Sequence, residues 1–122
     1  MLLATDGSES ARAAERLALT LAKDADHLVL VTVLDEGSDD EAAARAHLDG
    51  LAEAAGGDVA VHVEQAEKAS EVIRRVADEE DATLLVVGQH GRGYAAGQVL
   101  GSTAEAVAVR SGRPVLLVPS AE

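Results

Sequence analysis

A chain of 122 residues can enclose one hydrophobic core and not two, so it is read as a single domain over residues 1–122 with no linker. Its 22 acidic against 10 basic residues leave a net charge of −12, the wrong sign for gripping a phosphate backbone, and one tyrosine with no phenylalanine or tryptophan removes the platforms on which single-stranded bases stack. Nucleic acid is therefore not expected as a partner, and the absence of cysteine removes disulfides, thiolate metal sites and cysteine nucleophiles while agreeing with a reducing, cytoplasmic setting.

In chain order, Met1 to Thr5 reads as a first strand, interrupted by Asp6 before it could resemble a signal or membrane segment; no membrane partner is expected. Ala14, Leu17, Ala18, Leu21 and Ala22 then recur at helical spacing. Leu28 to Val33 is a nearly continuous apolar run, the pattern of a strand buried on both faces. The acidic stretch Glu36 to Glu41 reads as a solvated loop into a second helix, whose weaker stripe is Ala44, Leu48, Leu51, Ala52 and Ala55, ended by Gly56-Gly57. A strand at Val59 to Val63 and a helix striped by Ala69, Val72, Ile73, Val76 and Ala77 follow. Thr83 to Val87 is a second central strand, Ala104, Val107 and Ala108 mark a short last helix stopped by Gly112, and Val115 to Val118, between Pro114 and Pro119, reads as an edge strand.

The alternation β-α-β-α-β-α-β-α-β predicts an α/β fold: an open, doubly wound, five-stranded parallel sheet of Rossmann-like type with helices on both faces. Its ligand site belongs at the carboxyl ends of the strands. The Lys-poor acidic surface, with only Lys23 and Lys68, suits either a salt-adapted protein or a GC-rich genome, and bears on solubility rather than fold.

The segment from Gly88 to Thr103 begins where an apolar strand ends and finishes where a helix begins. Glycines there let backbone amides approach an anion, and the helix start after Gly101 offers further unpaired amides and a favourable dipole. Ser102 and Thr103 add hydroxyls, although Ser102 with Glu105 also reads as a capping box. No Gly-Lys-Ser/Thr follows, and no G-x-G-x-x-G follows the first strand, so neither a P-loop nor the usual dinucleotide fingerprint applies.

The spacing Gly88-x2-Gly91-x9-Gly101-Ser102 resembles the nucleotide motif G-x2-G-x9-G-[ST] of the universal stress protein family, ATP-binding type. The resemblance runs from Leu3-Ala4-Thr5-Asp6-Gly7-Ser8 to Arg113-Pro114-Val115-Leu116-Leu117-Val118-Pro119. It implies an adenine nucleotide alpha hydrolase-like fold and an adenine nucleotide, ATP or alternatively ADP or AMP, held by Gly88, Gly91, Gly101, Ser102 and Thr103 around ribose and phosphates. Ala4, Thr5 and Val33 would meet adenine and ribose, Arg92 would reach phosphate, and Asp6 would help hold Mg²⁺ or Mn²⁺, which a carboxylate beside a triphosphate requires. Asp6 with Glu9 reads equally as a helix cap. The chain departs from the family's usual residues at Gln89, Gly97, Thr103 and Ala104, and lacks the glycine often found around Gln65-Ala66-Glu67. The loss of a hydroxyl at Ala104 weakens the phosphate contacts implied.

His27, His47, His62 and His90 have no metal-ligand spacing and read as surface or loop residues, with His90 singled out by its place in the phosphate loop. No nucleophile elbow, carboxylate pair or catalytic triad is evident, so no catalytic residue is assigned. The family resemblance implies a nucleotide-responsive stress-resistance or regulatory protein, with a homodimer formed through the apolar edge Val115 to Val118. The alternatives are a slow ATPase or a protein phosphorylating its own Ser or Thr, and a nucleotide-free structural stress dimer.

Overall fold

The computed structural model describes residues 1–23, 27–90 and 100–120. Five parallel strands, β1 (Leu2–Ala4), β2 (Leu28–Leu34), β3 (Val59–Gln65), β4 (Leu85–Gly88) and β5 (Val115–Val118), form one sheet in the order β3-β2-β1-β4-β5. Between them run α1 (Arg12–Ala22), α2 (Glu41–Ala55), α3 (Ala69–Glu79) and α4 (Ser102–Arg110). This is the doubly wound α/β architecture that the alternating pattern predicts, and β5 takes the edge its flanking prolines require.

Strand pleating sorts the core into two layers. Leu2, Ala4, Val29, Val31, Leu85 and Val87 face one way, against Val72, Ile73, Val76 and Ala77 of α3 and Val107 of α4. Leu3, Leu28, Leu30, Val63 and Val86 face the other, against Ala14 and Ala18 of α1 and Leu48 of α2. Both faces of β1 are covered, which is why its three residues are all apolar and all buried. Each fully buried Leu or Val contributes roughly 1.5–3 kcal/mol by leaving water. Gly56 and Gly57 end α2 at positive φ, 62° and 99°, as a helix stop demands.

Several boundaries differ from the sequence reading for identifiable reasons. β3 runs on to Gln65 because its polar residues are answered across the layer: His62 and Glu64 meet Glu80 and Arg75 of the α3 segment. β4 begins at Leu85 rather than Thr83. Ala108 faces outward on α4, and Leu21 stays partly exposed at the end of α1. Neither Asp6 nor Ser102 caps a helix as expected. A 3-10 turn at Glu9–Ala11 precedes α1, Asp6 Oδ1 accepts the Ser8 amide in a local turn, and extended Gly101 (φ −68°, ψ 154°) is the cap position of α4, leaving Ser102 as its first residue.

The histidines read as unremarkable prove to be structural. Glu80, just past α3, accepts His62 Nε2 at 2.8 Å and His27 Nε2 at 3.2 Å, and His27 Nδ1 lies 2.8 Å from Asp58 Oδ2. The cluster ties α3 to the start of β2 and to β3. Hydrogen bonding to Glu80, with the Asp58 charge assisting against desolvation, raises the His27 pKa; hydrogen bonds from His62 and then His27 hold the Glu80 carboxyl below its ordinary range. The His27 contribution is complete below its unfolded value of about 6.5 and is lost as pH rises through the raised folded value. The Glu80 contribution is present above the unfolded carboxylate value and is lost as pH falls through the depressed one. The difference in melting temperature between about pH 5.5 and about pH 8.5 should therefore shrink in Glu80→Gln relative to wild type; equal pH dependence in calorimetric melts of the two proteins would remove the cluster's role.

Candidate functional site

In a doubly wound sheet the loops leaving neighbouring strands diverge where the winding reverses, and here that point lies between β1 and β4. A cavity of about 950 Å³ opens there. Ala4, Thr5 and Asp6 at the end of β1, Val33 on β2, Gly88 at the end of β4, and Gly101, Ser102 and Thr103 at the start of α4 all line it. Gly91 and Arg92 lie outside the described residues, so no position is assigned to either.

Backbone bonding brings these distant segments together. Thr5 N donates to Val31 O at 3.0 Å, Gln89 N to Val118 O at 2.8 Å, and Gly101 N to Gln89 O at 2.8 Å, which returns the start of α4 to the end of β4. Gly101 has no side chain with which to cap α4, so among the described residues its first-turn amides receive no side-chain cap, and the positive end of the helix dipole lies at the cavity. Gly88 is needed for closeness: a Cβ there would stand 3.2 Å from His90 O and 3.7 Å from Ala11 Cα.

The two sides of the cavity differ chemically. Val31, Val33, Ala66 and Ile73 give it an apolar wall beneath the ends of β2 and β3. Asp35, Glu36, Asp39, Asp40 and Glu67 line its mouth beside Asp6, and the described lining contains no Lys or Arg. Of these, Glu36, Asp39 and Asp40 fall in the stretch read from the sequence as a solvated loop, and Asp35 and Glu67 were not singled out. Their placement depends on Gln65, whose side-chain Nε2 donates to Ser38 O at 2.8 Å and whose Oε1 accepts Gly37 N at 3.1 Å, folding the loop after β2 over the cleft. A polar residue ending a strand was the only signal available, and it named no partner.

Asp6 lines the cavity, with Oδ1 accepting Ser8 N at 2.9 Å. The other described side chains do not form a group of three or more His, Asp and Glu able to hold a metal by themselves. Thr5 turns its hydroxyl away, donating to Glu15 Oε2 at 2.6 Å, so its hydroxyl proton is committed to the protein.

Sheet order, a cleft at the winding reversal and a glycine-started helix at its edge define a doubly wound α/β domain with a cavity at the carboxyl ends of its strands. The family that matches is the universal stress protein family, over residues 1–119, and the chain belongs to it. A search of the curated proteins finds no match. Among solved structures the chain is similar to a universal stress protein determined in complex with cAMP, at 31% identity and TM-score 0.74, over 98% of this chain and 95% of that one. A universal stress family protein from Burkholderia pseudomallei shares 31% identity with TM-score 0.71, over 98% and 95%. UspA from Lactobacillus plantarum, at 20% identity and TM-score 0.79 over 96% and 95%, shows the shared fold. Among the described residues no helix is long and apolar enough to cross a membrane.

Substituting Gly88→Ala should lower stability by about 1 kcal/mol, because the new Cβ would stand 3.2 Å from the backbone oxygen of His90, which must give by a few tenths of an ångström, whereas 3.7 Å from Ala11 Cα is an ordinary contact. Denaturant unfolding measures this; a variant as stable as wild type would show that the loop after β4 can retreat freely.

Proposed function

We propose that the chain is an adenine-nucleotide-binding universal stress protein whose ligand, ATP or a related nucleotide, lies across the carboxyl ends of β1 and β4. The observation that carries this reading is the pairing, within one cavity, of an apolar wall and an uncapped helix start. A flat apolar base suits Val33 and Ala66, the less buried residues of that wall; phosphate oxygens suit the amides of Ser102 and Thr103, where the helix dipole favours negative charge. A similar structure holding cAMP supports the same ligand class for this chain.

The carboxylates at the mouth oppose a bare triphosphate, since like charges a few ångströms apart repel by several kcal/mol at the effective dielectric of a protein surface. Mg²⁺ or Mn²⁺ bound with the nucleotide would offset that repulsion, and the oxygen-rich mouth suits a hard cation. Asp6 is the residue that would face it. Ser102, as the first residue of α4, would offer its amide in the same region, beside Gly88 and Gly101 of the lining. Binding, rather than turnover, is the role proposed, with occupancy changing the behaviour of a homodimer joined along the edge strand β5, where Leu116 is 37% exposed. A cytoplasmic place of action is part of the same proposal.

Small molecules released from the purified protein on denaturation should include an adenine nucleotide by mass spectrometry. In calorimetric titration, Asp6→Asn should weaken ATP–Mg²⁺ about tenfold while altering metal-free AMP far less. Gly101→Val should abolish both without unfolding the chain, because φ −68° and ψ 154° accommodate a β-branched residue. No released nucleotide and no heat with ATP–Mg²⁺ or AMP would overturn the proposal.

A further inference from the structure

Glu15 breaks the apolar pattern of its own helix. It follows Ala14 on α1, is only 6% exposed, and lies in the layer that α1 and α2 make with the sheet. A carboxylate in such a place requires donors, and it has two on one oxygen: Thr5 Oγ1 at 2.6 Å and His47 Nε2 of α2 at 2.8 Å. Thr5 Oγ1 in turn accepts the amide of Gly7 at 3.1 Å. The His47 ring also packs against Gly7, its Cδ2 standing 3.6 Å from where a Cβ would be, with Gly7 at φ +74°. Both arms from Glu15 thus close on the loop between β1 and α1, on either side of Asp6.

A polar chain of this kind is a poor way to gain stability, because filling such a position with well-packed apolar side chain is often neutral or favourable. What it supplies is a fixed direction for the backbone that leaves β1. We propose that Glu15 and His47 are positioning residues of the cavity, holding the β1–α1 loop and with it Asp6 in the shape that a ligand meets. The binding part of this inference rests on the nucleotide reading above; the loop-ordering part does not. No ionisation change is invoked. The charged groups nearest in chain on the elements around the ring are Arg45 and Asp49 on α2, Arg12 and Arg16 beside Glu15 on α1, and Asp6 and Glu9 leading into it. β2 and β3 turn Leu28, Leu30, Val61 and Val63 to this layer, while His62 and Glu64 pair on the other.

Amide hydrogen exchange and calorimetry with ATP–Mg²⁺ on the full chain test this together. His47→Leu and Glu15→Leu should each speed exchange at Gly7 about tenfold relative to Leu30 and Val86 in the central strands, and should weaken ATP–Mg²⁺ by a similar factor. His47→Gln, which keeps a donor at the Nε2 position, should remain within about threefold of wild type in both measurements. Unchanged exchange at Gly7 in the leucine variants, or a glutamine variant as impaired as leucine, overturns the inference; faster exchange with unaltered affinity overturns its binding part. If wild type binds no nucleotide, the function proposed above fails while exchange at Gly7 still decides the positioning role. His47 is half-exposed at the surface of α2, so its variants decide the matter even if Glu15→Leu does not fold.

Discussion

With β1 hydrogen-bonded to β2 on one side and to β4 on the other, the chain must leave the middle of the sheet in two directions. Everything functional in the molecule follows from that constraint. α1, which follows β1, packs on one face and α4, which follows β4, on the other, and the cavity opens between the ends of those strands. Because β1 is only three residues long and wholly buried, Thr5 and Asp6 follow directly on its paired residues, with Thr5 N still held by Val31 O and Asp6 the first residue beyond it.

The electrostatics of the cleft set two requirements against each other. An uncapped helix start attracts anions within about one turn, worth some 0.3–1 kcal/mol at an exposed site. Six carboxylates of the lining, Asp6, Asp35, Glu36, Asp39, Asp40 and Glu67, act in the opposite sense on a chain already carrying −12. The helix dipole alone does not outweigh them, so a highly charged ligand and a counter-cation belong together in the proposed function. A ligand bearing a single negative charge meets a smaller penalty, which is how a mouth of this composition would discriminate among nucleotides sharing one base.

How much of this was legible depended on whether the informative residues were close in sequence. Leu28 to Val33 declared a central strand because both faces are covered, and the strand end at Gly88 and the helix start at Ser102 were readable because each signal lies within a few neighbouring residues. The wall formed by Asp35 to Asp40 was not legible, since it is folded over the cleft by the side chain of Gln65, about 28 residues away. The Asp6 cap was misassigned for a local reason: a carboxylate bonding an amide two residues on serves a turn as readily as a helix start, and the intervening 3-10 turn moved the helix beyond its reach. Glu15 and His47 stand on two helices and Thr5 in the loop after β1, and no periodicity connects them.

The described core has no aromatic ring and relies on Ala, Val, Leu and Ile, whose small volumes let helices lie close to the sheet but give each contact little shape of its own. Apolar packing of that kind tolerates sliding between near-equivalent arrangements before it loses much energy. The two buried or half-buried polar links act where sliding would matter. Glu80, gripped by His27 and His62, fixes α3 against β2 and β3, while Glu15, gripped by Thr5 and His47, fixes α1 and α2 against the end of β1. Hydrogen bonds have directions and apolar contacts do not, so a core made mostly of small aliphatic side chains acquires a definite register from a few polar pairs. The second of those pairs lies beside the cavity, so the same bonds that select the packing also select the shape of the site.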